Sequence, residues 1–370
     1  MAKIVYGVAG EGFGHSSRSH LIGQHLIDAG HEVVFVASRK SLSYLRRHFG
    51  ANVHEIFGLC LAYTNGSLSA LRTVTTNLAR FASRLTINKE LYSRVIEPFD
   101  PDVVISDFEP FSACWAWRHG IPLVSVNHQD LLTMCELEHP PGQALAKLNA
   151  QVVTQCHHFA AAAHIILNFF QTPVKHRLGV LAPPVVRPVV HSFKPVCGEH
   201  ILVYSTDPSW KDQLLTILGA FPTQPFTIYG FNENGQISNC TFRKTSTQSF
   251  LQDLASCRGV IATAGFSLIS ECLHFRKRML LLPIRGQYEQ VINAFHAERL
   301  GLALHRRHLD TESLAEYLDT LAEPMTGHED ILWPDNDAFF GILGRILADV
   351  CPSFETTSPT AGTGRTLLAG

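Results

Sequence analysis

The chain has 370 residues, of which 46% are hydrophobic and 17% charged, and its formal net charge is -2. This length favours two domains over one core, and the apolar content excludes a disordered chain. The near-neutral charge gives no electrostatic basis for nucleic-acid binding. The nine cysteines include no CxxC pair and no zinc-ligand spacing, no apolar run reaches the roughly 18 residues of a membrane span, and the N-terminus lacks a signal-peptide pattern. A cytoplasmic protein with reduced thiols is therefore predicted.

In the first half of the chain, short apolar runs alternate with helix-like stretches, which is the pattern of a βαβ fold. The predicted buried strands have the sequences KIVYGVA, EVVFVAS, DVVISD, PLVSVN and HIILNF. The first helix is expected from about Ser16 to Ala29, where Gly30 ends it. A proline-dense segment, TPVKHRLGVLAPPVVRPVVHSFKP, then predicts a linker.

Beyond this linker the alternation begins again with HILVYST, FTIYGF, GVIATAG and MLLLPI. The fold class is therefore α/β, with a parallel sheet in each of two domains. We place the domains at residues 1–185 and 186–335, followed by a C-terminal helix at 336–352 and a disordered tail at 353–370.

The first predicted strand is followed by GEGFGHSSR, in which Gly10 and Gly12 fit the start of a dinucleotide-binding GxGxxG turn. His15 occupies the place of the third glycine, and the second strand ends in SRK instead of an acid. Because a basic end could bind a 2′-phosphate, an NADP-dependent reductase is one interpretation of this turn.

The other interpretation is that the turn places His15 as a general base. His15 would lie at the carboxyl edge of the sheet, where open α/β folds bind ligands, and an imidazole there could accept a proton from a substrate hydroxyl. Asp107 ends the strand DVVISD at the same edge and is the candidate that fixes the histidine tautomer. A plain helix start at His15 and a helix cap at Asp107 are the structural alternatives.

In the second half, the stretch GVIATAGFSLISECLHF leads from a strand into a helix. A helix N-terminus offers free amides to a diphosphate; Gly265 allows close approach of the backbone, and Thr263 and Ser267 add hydroxyl donors. Glu271, one turn into the helix, is placed to accept hydrogen bonds from a ribose diol. A further group of amides and a carboxylate could bind several sugar hydroxyls and comprises Gln287, Glu289, Gln290 and Asn293.

This second region resembles the donor-binding region of GT-B glycosyltransferases, and it is most similar to inverting enzymes of the MurG type and to plant and antibiotic UDP-sugar transferases. The resemblance rests on a pattern of residue types in this order: a glycine, a serine or threonine, a glutamate, a proline, and finally an acid-Gln-x-x-Asn sequence. GEGFGHSSR is similar to the first loop of the same superfamily, especially to a prokaryotic group with an EGxGHxxR signature. The resemblance covers about residues 1–350 and implies the GT-B fold, in which two Rossmann-like parallel-sheet domains face a central cleft and a C-terminal helix returns to the first domain.

The resemblance also implies a role for each matching residue. His15 would deprotonate the acceptor hydroxyl and Asp107 would orient it, while Glu271 would bind the ribose and Phe242 would lie in a loop that holds the nucleobase through main-chain groups. The donor diphosphate would contact Gly265, Ser267, Thr263, Ser205 and Thr206. The donor sugar would contact Glu289, Gln290, Gln287 and Asn293, and the acceptor side would include Glu11, Gly12 and Arg18.

Two positions depart from the plant signature. Its diphosphate-binding histidine falls on Thr263 and its phosphate serine on Leu268, so that Ser267 is only a neighbouring hydroxyl. Phosphate binding is therefore expected to depend more on backbone amides than it does in the plant enzymes.

The resemblance implies an inverting, metal-independent glycosyltransferase that moves a sugar from a nucleoside diphosphate sugar, with UDP-sugar favoured, to a hydroxyl of a small-molecule, glycan or lipid-linked acceptor. A nucleotide-sugar epimerase of the same fold and a non-catalytic sugar-nucleotide sensor are the alternatives. No obligatory cofactor and no nucleic-acid partner are expected. The DxD at residues 335–337 could bind a metal, but a helix N-cap is favoured. The basic segment 72–94 is predicted to be a solvated helix face, with peripheral membrane contact as its alternative.

Overall fold

The computed structural model of the protein describes residues 1–10, 12–58, 63–64, 67–68, 81–158, 160–205, 208–322, 325 and 329–354. The strands of the first half are, in chain order, β1 (Lys3–Val8), β2 (Glu32–Ala37), β3 (Val53–Glu55), β4 (Tyr63–Thr64), β5 (Ser67–Leu68), β6 (Val103–Asp107), β7 (Leu123–Asn127), β8 (Ala163–Leu167) and β9 (Gly179–Ala182). The strands of the second half are β10 (Ile201–Tyr204), β11 (Phe226–Tyr229), β12 (Gly235–Ile237), β13 (Cys240–Arg243), β14 (Gly259–Ala262), β15 (Met279–Leu281) and β16 (Ala303–His305).

The helices surround these strands. They are α1 (Phe13–Asp28), α2 (Arg39–Phe49), α3 (Phe81–Leu91), α4 (Glu97–Phe99), α5 (Pro110–His119), α6 (Leu131–Met134), α7 (Ala144–His158), α8 (Lys211–Gly219), α9 (Thr247–Ser256), α10 (Phe266–His274), α11 (Tyr288–Arg299), α12 (Thr311–Thr320) and α13 (Asn336–Val350). A π-helical turn at Tyr92–Ile96 joins α3 to α4, and short 3-10 turns lie at Gly50–Asn52, Pro188–Ser192 and Pro208–Trp210.

The first sheet has seven strands in the order β3-β2-β1-β6-β7-β8-β9, and every neighbouring pair is parallel. Its central strands are buried along almost their whole length, as expected for apolar runs that helices cover on both faces. The strand order reverses at β1, which lies between β2 and β6. Ligands bind beyond the carboxyl ends of strands at such a reversal point, so β1 and β6 mark the first half of a site.

The second sheet has the order β12-β13-β11-β10-β14-β15-β16 and is parallel except for β12, which pairs with β13 in the antiparallel sense. Its strand order reverses at β10, between β11 and β14. The two predicted parallel sheets are therefore present. The break between them lies in residues 183–200, and the domain boundary at 185 stays a prediction.

One buried apolar cluster contains residues of both domains. Across the domain junction, the rings of Phe169 and Phe266 have centroids 6.5 Å apart, and His128 stacks on Phe266 at 4.1 Å. Phe170 stacks on His296 at 4.1 Å in the same region. The cleft between the two sheets is therefore closed at its base by an apolar contact.

The C-terminal helix α13 packs against β8 and β9 of the first sheet, as the resemblance implied. The side chain of Asp335 caps it by accepting a hydrogen bond from the Ala338 amide at 2.9 Å, which confirms the N-cap interpretation of the DxD. Phe354 is only 9% exposed and stacks on His31 at 4.2 Å, and Ser353 donates to Asp102 at 2.9 Å. Ser353 and Phe354, which the prediction placed in the tail, thus both have side-chain partners; residues 355–370 lie outside the described part, and a tail there stays a prediction.

The first helix begins at Phe13, three residues earlier than expected, and ends before Gly30 as predicted. The N-cap residue Gly12 has φ 80°, a left-handed conformation that favours glycine. The hydroxyls of Ser16 and Ser17 bond backwards to carbonyls within the helix, at 3.0 and 3.2 Å. The early start places the imidazole of His15 in the first turn of α1.

Candidate functional site

The carboxyl ends of β1 and β6 bring His15 and Asp107 together. Asp107 is the last residue of β6 and is in register with Val8 of β1, and its carbonyl accepts from the amide of Ala9 at 3.0 Å. The chain then turns through Gly12 into α1, so that the His15 Nδ1 atom lies 2.8 Å from Asp107 Oδ1. The structure thus shows the expected contact, while the catalytic role of the pair stays a prediction.

The carboxylate of Asp107 is fully buried and is held by more than His15. Arg18 donates through Nε to Oδ2 at 3.0 Å and through Nη2 to Oδ1 at 2.6 Å, and the Ser19 hydroxyl donates to Oδ2 at 3.2 Å. Burial alone would raise the pKa of Asp107, but the charge of Arg18 and the contact with His15 outweigh it, so the pKa lies below its ordinary value. Asp107 is therefore a carboxylate at neutral pH.

A carboxylate can only accept hydrogen bonds, which fixes the tautomer of the neutral His15 ring. Nδ1 carries the hydrogen that points to Asp107. Arg18 Nη2 lies 3.2 Å from the same nitrogen but cannot donate to it, because the protonated Nδ1 has no free lone pair. The basic nitrogen is then Nε2. The His15 side chain is 15% exposed, so it is mostly sheltered but reachable. This arrangement suits a general base that takes one proton.

An aromatic side chain borders the same histidine. The ring of Phe108 is stacked between that of His15, at 6.3 Å, and that of His157, at 4.0 Å. Phe108 has φ 56°, a left-handed backbone conformation that is costly for a bulky residue and that clusters at functional sites. The chain therefore turns sharply directly after Asp107, which places this ring beside the predicted base.

Across the cleft, β14 leads into the N-terminus of α10. Gly265 is the N-cap residue, and the amides of residues 266–268 have no acceptor within the helix because its first backbone bond runs from the Ile269 amide to Gly265. Thr263 and Ser267 are both partly exposed beside these amides. Glu271 is buried, and its Oε1 accepts from Arg187 Nε at 2.8 Å and forms an ion pair with Nη2 at 2.7 Å. The predicted diphosphate and ribose residues thus share one end of one helix.

The two half-sites touch. A side-chain carbon added at Gly14, in the first turn of α1, would collide with the Ser267 hydroxymethyl group in the first turn of α10. A pocket at this junction is lined by residues of both domains and of the linker, among them Arg18, Arg187 and Glu271. The predicted base and the predicted diphosphate site therefore face each other across one narrow gap.

The predicted sugar-binding group on and before α11 is only partly available. Glu289 lies at the cleft, where Gln129 of the first domain donates to its Oε2 at 2.8 Å. Gln290 accepts from the Ile284 amide at 3.0 Å and donates to Gln287 at 2.6 Å, so this amide pair stabilises the loop before the helix. Contacts of these three residues with a sugar stay a prediction.

Asn293, also predicted to contact the sugar, offers it no free polar atom in this structure. Its side chain is fully buried, and both polar atoms are used: Nδ2 donates to the Ala264 carbonyl at 3.0 Å and Oδ1 lies 2.7 Å from His128 Nε2. Asn293 instead joins the loop before α10 to the first domain.

The loop position expected for Phe242 is wrong. Phe242 lies within β13, in register with Ile228 of β11 on one side and Gly235 of β12 on the other, and its ring is buried in the core. Its main chain lies between two neighbouring strands, and a contact with a nucleobase stays a prediction.

The remaining predictions concern Ser205, Thr206, Glu11 and the basic segment 72–94. Ser205 follows β10, is buried, and donates its amide to the Tyr229 carbonyl at 3.1 Å. Glu11, Thr206 and residues 72–80 of the basic segment lie outside the described residues. Arg94 of that segment is exposed and pairs with Glu90 at 2.7 Å, in keeping with a solvated face.

Sequence reasoning missed three residues of the cleft. Arg187 of the linker contacts Glu271, while His128 and Gln129 of the first domain contact Asn293 and Glu289, respectively. The partners in these pairs are 84 to 165 residues apart in the chain. No local spacing marks them, because their importance comes from the approach of the two domains.

Comparison with known proteins identifies the family. The family model described as glycosyl transferase family 1 matches residues 2–322. The chain belongs to this family.

Relatives and solved structures agree with this assignment. An uncharacterized glycosyltransferase of Methanosarcina acetivorans is 24% identical over 334 residues, which cover 81% of this chain and 84% of the relative. The calicheamicin glycosyltransferase CalG4 matches at a TM-score of 0.61 and 16% identity over 95% of this chain and 94% of that one. MurG of Acinetobacter baumannii matches at a TM-score of 0.53 and 13% identity over 87% and 91%. The predicted GT-B fold and the glycosyltransferase class are confirmed.

The NADP-dependent reductase suggested by the first turn is therefore wrong. The third glycine position of this glycosyltransferase holds His15, which is paired with Asp107, and Ser267 of the second domain covers Gly14.

Two features are absent from the described residues. No helix in these ranges is long and apolar enough to cross a bilayer. The same ranges contain no group of three or more His, Cys, Asp or Glu side chains arranged to hold a metal ion.

Gly14→Ala should lower kcat/KM for sugar transfer by about 10- to 100-fold, because the added methyl group would separate the two half-sites and a displacement of ~1 Å can cost this much. Alanine favours the helix itself, so the variant should fold. In a Ser267→Gly background the same change should have little effect, which makes a double-mutant cycle the measurement. Gly219→Ala, at a helical glycine with open space around it, is the matched control. Equal losses in both backgrounds would show that the contact does not set the gap.

Proposed function

We propose that the protein is an inverting, metal-independent glycosyltransferase that moves a sugar from a nucleoside diphosphate sugar, with UDP as the first candidate, to an acceptor hydroxyl. The observation that supports this proposal most is the position of the His15–Asp107 pair, which faces the N-terminus of α10 across the cleft. A base on one side and an anion site on the other are the two halves that a single displacement needs.

The acceptor oxygen attacks the anomeric carbon while the bond from that carbon to the diphosphate oxygen breaks, so the configuration inverts. The acceptor proton passes to His15 Nε2, late in the step because a neutral imidazole is a weak base for a free alcohol. Asp107 stabilises the imidazolium that forms. Arg18 shares this carboxylate, so that Asp107 stays ionised in a buried setting.

The charge that develops on the leaving diphosphate falls on the first turn of α10. The amides of residues 266–268 and the positive end of the helix dipole are fixed there before the reaction, so they stabilise the charge without reorganising. Glu271 binds the ribose, and Glu289 with Gln290 and Gln287 binds the donor sugar. Ser205 and Thr206 are proposed to line the phosphate side.

Solved neighbours support the ligand classes. LpCGTa, at a TM-score of 0.59, was solved in complex with UDP, and the spinosyn rhamnosyltransferase SpnG, at 0.56, with thymidine diphosphate. Phytolacca americana UGT2, at 0.58, was solved with UDP-2fluoro-glucose and pterostilbene. We infer a nucleotide-sugar donor and a small-molecule, glycan or lipid-linked acceptor for this chain.

A thermal-shift panel with UDP, TDP, GDP and NADP, each with and without EDTA, tests the proposal first. A ligand present at 100 times its Kd should stabilise the fold by about 2.7 kcal/mol, so one nucleoside diphosphate should raise the melting temperature and EDTA should not change the shift. That nucleotide names the donor for an acceptor screen, in which the anomeric configuration of the product is read by NMR. Conversion of the donor without any acceptor would support the epimerase instead, and loss of the shift in EDTA would contradict metal independence.

A further inference from the structure

The cleft pocket contains a cation that none of the proposed roles uses. Arg187 belongs to the linker between the two sheets, and its side chain is 13% exposed. It lines the same pocket as Ser267 and Glu271, next to the first turn of α10. Its guanidinium also lies over the Phe13 ring of α1, at 5.4 Å. The linker thus places one charged group between both half-sites.

The contact between Arg187 and Glu271 uses only part of each side chain. Nε of Arg187 donates to Oε1 of Glu271, and Nη2 forms an ion pair with the same oxygen. Among the described residues, Nη1 of Arg187 and Oε2 of Glu271 have no hydrogen-bond partner. One edge of the guanidinium therefore orients the carboxylate, and the other edge is left to bind an anion.

The charges of the pocket favour an anion at this position. Arg18 already pairs with Asp107, and the α10 dipole supplies only a partial charge to balance a diphosphate that carries two or more negative charges. Leu268 contributes no side-chain donor, whereas Thr263 and Ser267 contribute neutral hydroxyls. Arg187 lines the same pocket, and its contact with Glu271 does not use all its donors, so it can supply a full positive charge to the diphosphate.

We propose that Arg187 binds the diphosphate of the donor and at the same time holds Glu271 for the ribose. This inference rests on the proposed function. Nη1 donates to a diphosphate oxygen while Nε and Nη2 stay on Glu271 Oε1, and Oε2 accepts from a ribose hydroxyl. A nucleoside diphosphate is thereby recognised as one unit, by a residue of the linker that also rests on α1.

Isothermal titration of UDP and uridine into wild type and Arg187→Gln tests the proposal; TDP and thymidine, or GDP and guanosine, replace them if the wild type prefers those. R187Q should weaken UDP binding about 10- to 100-fold, as the loss of a charge-assisted contact predicts. Uridine binding should fall much less, about threefold or under, through the looser Glu271. Arg276→Gln, which removes another arginine that lies over an aromatic ring, Trp333, should leave both affinities unchanged.

Equal losses of affinity for UDP and uridine would show that Arg187 acts only through Glu271, and unchanged UDP binding would show that it has neither role. Each of these results overturns the inference and leaves the proposed function standing. A wild type that binds no nucleoside diphosphate overturns the proposed function, and the inference with it. If R187Q fails to fold, the double variant Arg187→Met with Glu271→Gln, which leaves no buried charge, is compared with Glu271→Gln alone. The double variant should then bind UDP at least tenfold more weakly and uridine equally; equal UDP binding would overturn the inference.

Discussion

His15→Ala should lower the rate of sugar transfer by about 10²- to 10⁴-fold, the range for loss of a general base, while the affinity for the nucleoside diphosphate stays unchanged. The reason is that His15 contacts Asp107 in the first domain, whereas the proposed nucleotide residues belong to α10 and the linker. The fold should persist, because Arg18 and Ser19 continue to satisfy the Asp107 carboxylate. Turnover with the acceptor found in the screen and titration of the nucleotide are the two measurements.

The control for this variant is His308→Ala, which removes a histidine whose side chain is 74% exposed. It should transfer sugar at the wild-type rate. Imidazole added to H15A should restore part of the activity, since the space left by the ring can admit it. Transfer by H15A at nearly the wild-type rate would mean that the base lies elsewhere, and Glu11 would be the next residue to replace.

Asp107→Asn should destabilise the protein by about 3–5 kcal/mol and also impair transfer, because it leaves the buried Arg18 charge without its partner. Asparagine can also donate to His15 Nδ1, which would select the wrong tautomer. Urea unfolding at neutral and acid pH measures the first effect, and turnover measures the second.

The pH dependence of this loss has a definite sign. The folded pKa of Asp107 lies below its ordinary value of 3.8, so its ionised form stabilises the fold fully above that value and the contribution disappears as the pH falls through the lower folded pKa. The stability difference between wild type and D107N should therefore be largest near neutral pH and shrink below about pH 4.

Glu90→Gln is the control for the stability measurement, since it breaks the exposed Glu90–Arg94 pair and should cost under about 1 kcal/mol. A D107N variant as stable as E90Q would show that Arg18 finds another partner, and that the buried charge cluster does not depend on Asp107.

The contact between His15 and Asp107 could be predicted because Asp107 ends one predicted strand and His15 lies in the turn after another, and the two strands are neighbours in a βαβ fold. Periodicity located the strands, and strands of this kind meet at one carboxyl edge. Gly30 likewise fixed the end of α1 by its left-handed conformation. These features depend on local residue types and on one rule of topology.

Asn293 and Phe242 show where that reasoning fails. Helical spacing places Asn293 on one face of α11, but the partner on that face is His128, 165 residues away in the chain. Phe242 was expected in a loop but lies within the short strand β13, whose bounds sequence patterns do not define. Arg187 had no signal at all, because its function depends on where the linker meets the second domain.

The contact between Gly14 and Ser267 brings the first turns of α1 and α10 side by side. Two positive dipole ends at such short range repel each other, and the repulsion is strongest when nothing negative lies between them. A bound dianion would lower this repulsion, so we expect the site to bind anions with two negative charges whatever nucleobase or sugar they carry. Sulfate and phosphate in a buffer would then act as weak competitors, and affinities measured in Tris at low salt would exceed those measured in phosphate.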